Sequence, residues 1–288
     1  MNIRDLKYLV ALQEHQHFGK AAEACFVSQP ALSMQIKKLE EHLGVQLLER
    51  TNKSLMFTAV GNVLVTRAQQ VLHQVDEMRE IARQSVNPFQ CELRLGIFPT
   101  LAPYLLPHVT PKIAKKFPCL SLLLLEEKSG SLLEKLHQGK IDAAILALPV
   151  ADNGLVVEHL FDEEFMLAVP ANDALAKYKH IKPEMLLDRP LLLLDEGHCL
   201  RDQALSFCHR VHAQENLNFR ATSLETLRYM VASGVGITLM PKLACQPTAS
   251  IVYVPFKSPK PTRSIGIISR GTSAKHKVIA ELALLMKV

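Results

Sequence analysis

The sequence predicts an α/β protein in two unequal parts: a short, almost wholly helical first part and a longer second part of alternating strands and helices. Three observations carry this. Residues 1–87 place apolar side chains at helical spacing with helix caps between them. From residue 90 onward, apolar runs of strand length alternate with amphipathic helical stretches. Between the two lies Ser85–Gln90, a polar stretch that contains Pro88. Such alternation implies an α/β architecture, read here as largely parallel sheets.

Leu6, Leu9, Val10 and Leu12 define a first amphipathic helix, and Gly19–Cys25 a second one with Ala21, Ala22 and Ala24. Phe26–Ser28 is a tight break. Ser28 then caps a third helix that opens with Gln29 and Pro30, a position where proline is tolerated because the first-turn amides lack helical partners anyway. Its apolar residues Leu32, Ile36, Leu39 and Leu43 form one helix face, and Gly44 ends it. Leu47–Thr58 reads as two short extended arms around a polar turn at Asn52–Ser54. Beyond Thr58, the residues Leu64, Ala68, Val71, Val75, Met78 and Ala82 keep heptad spacing. One long helix follows, and its stripe is either packed on its own domain or the seam of a dimer. The polar residues at most other positions favour the seam.

In the second part, strands are expected at Leu93–Ile97, Leu120–Leu125, Ile141–Leu148, Phe165–Val169, Leu191–Leu194, Ile237–Met240, Ile251–Val254 and Ile265–Ile268. Helices are expected at Leu105–Phe117, Ser131–Gln138, Leu200–His212, Leu224–Ala232 and Ala274–Met286. No repeat or low-complexity segment is visible.

Composition bounds the function. The chain has 288 residues, 48% hydrophobic and 21% charged, which suits a folded globular protein. No apolar run approaches the ~18 residues of a membrane span. Arg4, Asp5 and Lys7 lead into no long apolar stretch, so the expectation is a cytoplasmic protein with no signal peptide and no membrane partner. The net charge is only +5, and the first 87 residues hold ten basic and nine acidic side chains. Nucleic-acid binding must therefore rest on where particular residues sit. Phosphate loops, dinucleotide-binding glycine motifs and His-Glu-x-x-His are all absent, which argues against an enzyme.

Two helices joined by a sharp turn, with small residues in the first, can cross closely as a helix-turn-helix. The second would enter the major groove with the donors and acceptors at its start. Ser28, Gln29, Ser33 and Gln35 supply these, Lys37 and Lys38 can reach phosphates, and the turn around Lys53 would be a wing on the DNA backbone. The alternative is a small helical oligomerisation domain with a polar surface.

The run from Phe18 to Arg50 contains Ser28-Gln-Pro-Ala-Leu-Ser33 and Leu43-Gly-Val-Gln-Leu-Leu-Glu-Arg50. It resembles the N-terminal signature of LysR-type transcriptional regulators. The resemblance implies a winged helix-turn-helix at 1–58, a long dimerising linker helix at 59–87 and a regulatory domain at 88–288. That domain would be two-lobed, like periplasmic binding proteins, with lobe I at 88–163 and 266–288 and lobe II at 164–265. It implies that Ser28, Gln29, Pro30 and Ser33 approach double-stranded DNA. It also implies a dimer or tetramer that activates transcription with RNA polymerase. Met34 stands where the family often has a basic residue.

Six cysteines are scattered, and none forms a Cys-x-x-Cys pair, so no structural disulfide framework is expected. Cys199 sits at the start of a predicted helix beside His198 and Arg201. Each of these favours the thiolate, while Asp195 and Glu196 oppose it. Inert packing is the plainer reading of Cys199 and Cys208. A zinc site from His198, Cys199, Cys208, His209 and His212 fits no common spacing, and neither metal nor cofactor is expected.

Gly197–Ala204, Phe207-Cys208 and Phe219–Arg228 resemble the branch of the same family that senses hydrogen peroxide. By that resemblance Cys199 is the peroxidatic cysteine and Cys208 the resolving one. Thr100 and Asp202 place peroxide and water, His198 and Arg201 shape the pocket, and Arg263 matches a basic residue between the lobes. Ser129 replaces a threonine and keeps its hydroxyl. The disulfide would be reduced by thiol reductants such as glutaredoxin or thioredoxin. Two rivals remain open. One is a regulator switched by a small organic effector between the lobes, and the other is a thiol peroxidase.

Overall fold

The computed structural model describes residues 1–50, 55–84, 89–150, 152, 154–187, 189–211 and 214–287. Of residues 50, 77, 79–84, 206, 208–211 and 214–218 it describes the backbone alone. The chain forms two compact units, Met1–Val86 and Asn87–Val288.

In the first unit, α1 (Ile3–His15), α2 (Phe18–Ala24) and α3 (Gln29–Leu43) precede a small antiparallel pair, β1 (Leu48–Arg50) and β2 (Leu55–Phe57), and the long α4 (Ala59–Gln84). Each start has a chemical cause. Asn2 and Asp5 form a reciprocal capping box on α1. The His17 ring accepts the Gly19 and Lys20 amides at the start of α2. The Ser28 hydroxyl accepts the Ala31 amide on α3, which ends at Gly44 with φ +70°. Leu9, Leu12, Ala21, Ala22, Leu32, Ile36, Leu39, Leu47, Val65 and Ala68 close the core. Gly61 makes close passage possible: a Cβ there would stand 2.2 Å from the Leu47 carbonyl oxygen. The predicted seam on α4 divides. Ala68 is buried within the unit, whereas Val71 and Met78 are exposed.

The second unit contains β3 (Glu92–Ile97), α5 (Ala102–Lys116), β4 (Ser121–Glu126), α6 (Ser129–His137), β5 (Ala143–Leu148), β6 (Leu155–Pro170) and β7 (Pro190–Leu194). There follow α7 (Cys199–Val211), β8 (Gln214–Ala221), α8 (Leu224–Ala232), β9 (Thr238–Pro241), β10 (Ile251–Pro255), β11 (Thr262–Arg270) and α9 (His276–Met286). The main sheet runs β4-β3-β5-β11-β6, with β6 continuing onto β9 and β10. The strand β6 is the hinge of the architecture. Its residues up to Glu164 pair with β11, and from Phe165 on it pairs with β9 and β10.

Two hydrophobic cores result. One gathers β3, β5, α5, α6 and α9 around Leu95, Ile145, Ile267 and Leu282. The other gathers β7, α7, α8 and β9 around Leu192, Phe207, Leu227 and Met240.

The expectation of largely parallel sheets is corrected. Among the described residues the ladders β3–β4, β3–β5 and β7–β8 are parallel, whereas β6 is antiparallel to β9, β10 and β11 and β5 is antiparallel to β11. Two strand segments escaped the sequence reading, the first half of β6 and all of β8. Both are rich in charged or amide side chains. Pairing with a neighbour, rather than an apolar run, makes them strands.

Candidate DNA-binding and redox sites

The helix-turn-helix is α2, the turn at Cys25–Ser28, and α3. Ala21 and Ala22 are fully buried where the helices cross. The turn is sharp enough to hold Phe26 at φ +56°, with its ring 95% exposed. The start of α3 presents Ser28, Gln29 and Pro30 to solvent, and Ser33 is half-buried one turn on. The positive end of the α3 dipole makes that end attractive to phosphate. Lys37 and Lys38 are exposed further along, with Glu41 3.9 Å from Lys37. Gln35 differs from its predicted role. Its amide donates to Asp5 at 2.8 Å, tying α3 to the capping box of α1. Lys53 lies outside the described residues.

In the second unit, Cys199 is the first residue of α7 and a free thiol. Its helix reaches both cores. Its own side chain packs against the first core, while Leu200, Ala204 and Phe207 anchor the same helix in the second. Phe207 meets Phe256 edge-on, with ring centroids 5.4 Å apart.

The charge beside the sulfur comes from an unexpected direction. Burial pushes the Cys199 thiol above its ordinary range. The Arg263 guanidinium, the Ser129 hydroxyl and the Leu200 amide pull it down, and Asp202 pushes it up. The helix N-terminus thus favours the thiolate, as the sequence suggests. The cation is Arg263 rather than the neighbouring His198 or Arg201. Arg201 is buried and donates Nη1 to the Leu194 carbonyl at 3.0 Å. Burial and the nearby Lys128 hold His198 below the usual histidine range against the pull of Asp195, which favours the neutral ring. The sequence error has a simple cause: adjacency in the chain does not fix side-chain direction at a loop–helix junction.

Arg263 is fully buried, and each of its three guanidinium nitrogens has a partner. It donates Nε to Glu163 at 2.8 Å, Nη1 to the Thr100 hydroxyl at 3.0 Å and Nη2 to the Thr100 carbonyl at 3.1 Å. Its Nη2 also lies 2.7 Å from the Glu163 carboxylate, and its guanidinium lies over the rings of Phe98 and Phe165. Thr100 and Arg263 are therefore brought together. The Ser129 hydroxyl is buried, has no partner of ordinary hydrogen-bond geometry among the described residues and acts on the Cys199 sulfur. Asp202 is exposed on the first turn of α7. Cys208 lies on the same helix, and only its backbone is described.

The sequence reading missed Glu163 and Lys128. Lys128 donates to the Glu196 carbonyl at 2.8 Å, on the loop that leads to Cys199. For Glu163 the sequence offers the charged run Asp162–Glu164, which takes its place in a strand only when β6 is paired with β11. Among the described residues, no three His, Cys, Asp or Glu side chains converge to hold a metal. The side chains of Cys208 and His209, and all of His212, lie outside the description.

A helix-turn-helix unit followed by a two-cored α/β unit defines a class of DNA-binding transcriptional regulators, and the chain belongs to the LysR family. Residues 3–62 match the bacterial regulatory helix-turn-helix protein, lysR family, and residues 87–287 match the LysR substrate binding domain. The chain is 46% identical over 286 residues to the DNA-binding transcriptional dual regulator OxyR of Escherichia coli, covering 98% of this chain and 94% of the relative. It superimposes with a TM-score of 0.83 on full-length OxyR from Pseudomonas aeruginosa bearing a cysteine-to-aspartate substitution, at 37% identity over 100% of this chain and 95% of that one. The oxidized form of OxyR matches with a TM-score of 0.64 and 41% identity, over 70% of this chain and 96% of that structure.

Proposed function

We propose that this chain is a peroxide-responsive activator of transcription, switched by oxidation of Cys199 and a disulfide to Cys208. The observation that carries the reading is the thiol of Cys199 on the first residue of α7, wedged against one core while its helix is rooted in the other, with Arg263 and Ser129 acting on the sulfur. The relatives' naming as OxyR and as hydrogen peroxide-inducible genes activators supports the same chemistry.

The Cys199 thiolate attacks one oxygen of hydrogen peroxide. The O–O bond breaks, the distal oxygen leaves as hydroxide and takes a proton to become water, and sulfur becomes a sulfenic acid. The Cys208 thiolate then attacks that sulfur, an S–S bond forms, and a second hydroxide leaves, again as water after protonation. In this scheme the Thr100 hydroxyl, fixed by Arg263, and Asp202 place peroxide and water. Arg263 and the Leu200 amide stabilise the thiolate, and His198 and Arg201 shape the wall. A cellular dithiol such as glutaredoxin or thioredoxin returns the disulfide to two thiols. The protein works as a cytoplasmic dimer or tetramer on double-stranded DNA. Ser28, Gln29, Pro30 and Ser33 read the groove, Lys37 and Lys53 hold phosphates, and RNA polymerase is the downstream partner.

The test is thiol mass mapping before and after a near-stoichiometric peroxide pulse, with DNA footprinting on the same sample. The reading expects a Cys199–Cys208 disulfide and a changed footprint. An unoxidised Cys199 with a footprint that shifts only on adding small organic acids would replace it with effector control. Sustained peroxide turnover would make the chain a peroxidase.

A further inference from the structure

One buried ion pair acts on two thiols. Glu163 on β6 and Arg263 on β11 are directly opposed in the antiparallel ladder. Their side chains are 3% and 0% exposed. Each carboxylate oxygen has its own task. Oε2 receives Arg263 through Nε at 2.8 Å and lies 2.7 Å from Nη2, while Oε1 accepts the Leu243 amide at 2.9 Å. Leu243 lies in the 3-10 turn Lys242–Ala244, which leads directly into Cys245.

The guanidinium, held along that edge and between two rings, has its Nη1 aimed at Thr100. The pair is therefore an oriented dipole. Its cation lowers the Cys199 thiol on α7, and its anion, bonded to the turn that leads into Cys245, raises the Cys245 thiol.

Resting on the peroxide reading above, we propose that Glu163 is the positioning residue of the redox site: it aims Arg263 at Thr100 and Cys199 and keeps Cys245 inert, so that oxidation falls on Cys199. The two thiols differ accordingly. Burial and the Glu163 carboxylate push Cys245 up to about 12, against the opposing pull of Arg228 and Lys242. Its S–H donates to the Pro241 carbonyl at 3.4 Å, which holds it as a thiol. At Cys199, burial is opposed by Arg263, Ser129 and the Leu200 amide, with Asp202 adding to burial. Burial alone does not distinguish the two sulfurs, since both are half-buried. The charge that weighs most on each does: the Arg263 cation at Cys199 and the Glu163 anion at Cys245.

The experiment uses the full chain and reads two cysteines at once. Iodoacetamide alkylation of Cys199 and Cys245 is followed against pH by peptide mass mapping, and Cys199 oxidation by hydrogen peroxide is timed alongside. In Glu163→Gln the shape and the Leu243 acceptor survive, but the charge is gone. The expected result is a Cys245 profile shifted to lower pH, slower oxidation of Cys199, and a Cys199-to-Cys245 reactivity ratio reduced about tenfold, the weight of one pKa unit. Glu163→Asp, which restores the charge, should return Cys245 to silence. If the single variant folds poorly, the paired change Glu163→Met with Arg263→Met removes both charges without leaving one buried alone. It should collapse the ratio in the same way.

Unchanged profiles and an unchanged ratio would overturn the inference. So would an equal rise in both reactivities, which would mean mere loosening. Failure of wild-type Cys199 to react with peroxide at all would instead overturn the functional reading.

Discussion

Cys199 opens α7, and Cys208 stands nine residues further along the same unbroken helix. At ~1.5 Å of rise per residue, their Cα atoms are about 13 Å apart. A disulfide requires ~4.4–6.8 Å between Cα atoms, so side-chain rotation cannot join the two sulfurs while the helix stands. The helix must unwind, and Leu200 and Phe207 must leave the core they fill. Each costs ~1.5–3 kcal/mol to expose fully. The proposed disulfide would thereby couple oxidation to a packing change in the core that Leu200 and Phe207 fill.

Hydrogen exchange should show this directly. On oxidation, amides of residues 200–211 are expected to lose protection, while those of residues 3–43 keep it. Cys208→Ser should abolish the loss but still allow sulfenic acid at Cys199. Matching exchange maps across 195–211 in both redox states would contradict the coupling even if the disulfide formed.

The rate of Cys199 oxidation should rise with pH. Burial holds the thiol above its ordinary range, so it is mostly protonated near neutrality, and only the thiolate attacks peroxide. Below the thiol pKa the rate should grow about tenfold per pH unit. Stopped-flow oxidation from pH 6 to 9 (about three decades in proton activity) measures the slope. Removing the cation, in the chain carrying both Arg263→Met and Glu163→Met, should slow the reaction at every pH. Equal rates would deny Arg263 its role.

Acid should destabilise the region around His198. Burial and Lys128 depress its folded-state value below that of an exposed histidine, ~6.5. A depressed histidine binds its proton more readily when unfolded, so its contribution to stability is full above ~6.5 and falls away as the pH drops below it. Denaturant unfolding followed at several pH values should show a steeper acid loss for the native chain than for His198→Gln. Parallel curves would show that the ring is not held neutral.

Gln29 and Gln35, six residues apart on one helix, should behave oppositely. Gln29 is exposed at the start of α3, and Gln35 is bonded to Asp5. Gln29→Ala should cost ~1–3 kcal/mol of discrimination between specific and random DNA. Gln35→Leu should instead cost about 1 kcal/mol of stability and leave the specificity ratio intact. Titrations on both DNAs, with thermal melts, separate the two. Equal loss on both DNAs for Gln29→Ala would misplace the reading helix.

The exposed half of the α4 stripe should govern assembly. Val71 is 42% exposed and Met78 70% exposed, whereas Ala68 is buried against its own unit. Val71→Glu is expected to lower the mass in solution and weaken DNA binding without unfolding the unit, while Ala68→Glu should unfold it. Sedimentation of Val71→Glu at native mass would remove the seam.

The sequence by itself determined the helix-turn-helix and the existence of the redox helix. Ser28, Gly44, the small residues Ala21 and Ala22 and the stepping of Leu32, Ile36 and Leu39 are local signals, because capping and amphipathic spacing act within a few residues. Cys199 at a helix start was legible for the same reason. Only the tertiary structure decided which charge reaches that cysteine. Arg263 is 64 positions away in the chain, and it arrives because β11 lies antiparallel on β6 opposite Glu163, a register that no local pattern encodes. The same holds for Gln35, which looks free to read DNA until α1 folds Asp5 against it. Spacing along the chain fixes the helices, but the direction in which a buried polar side chain points is fixed by the partner that satisfies it.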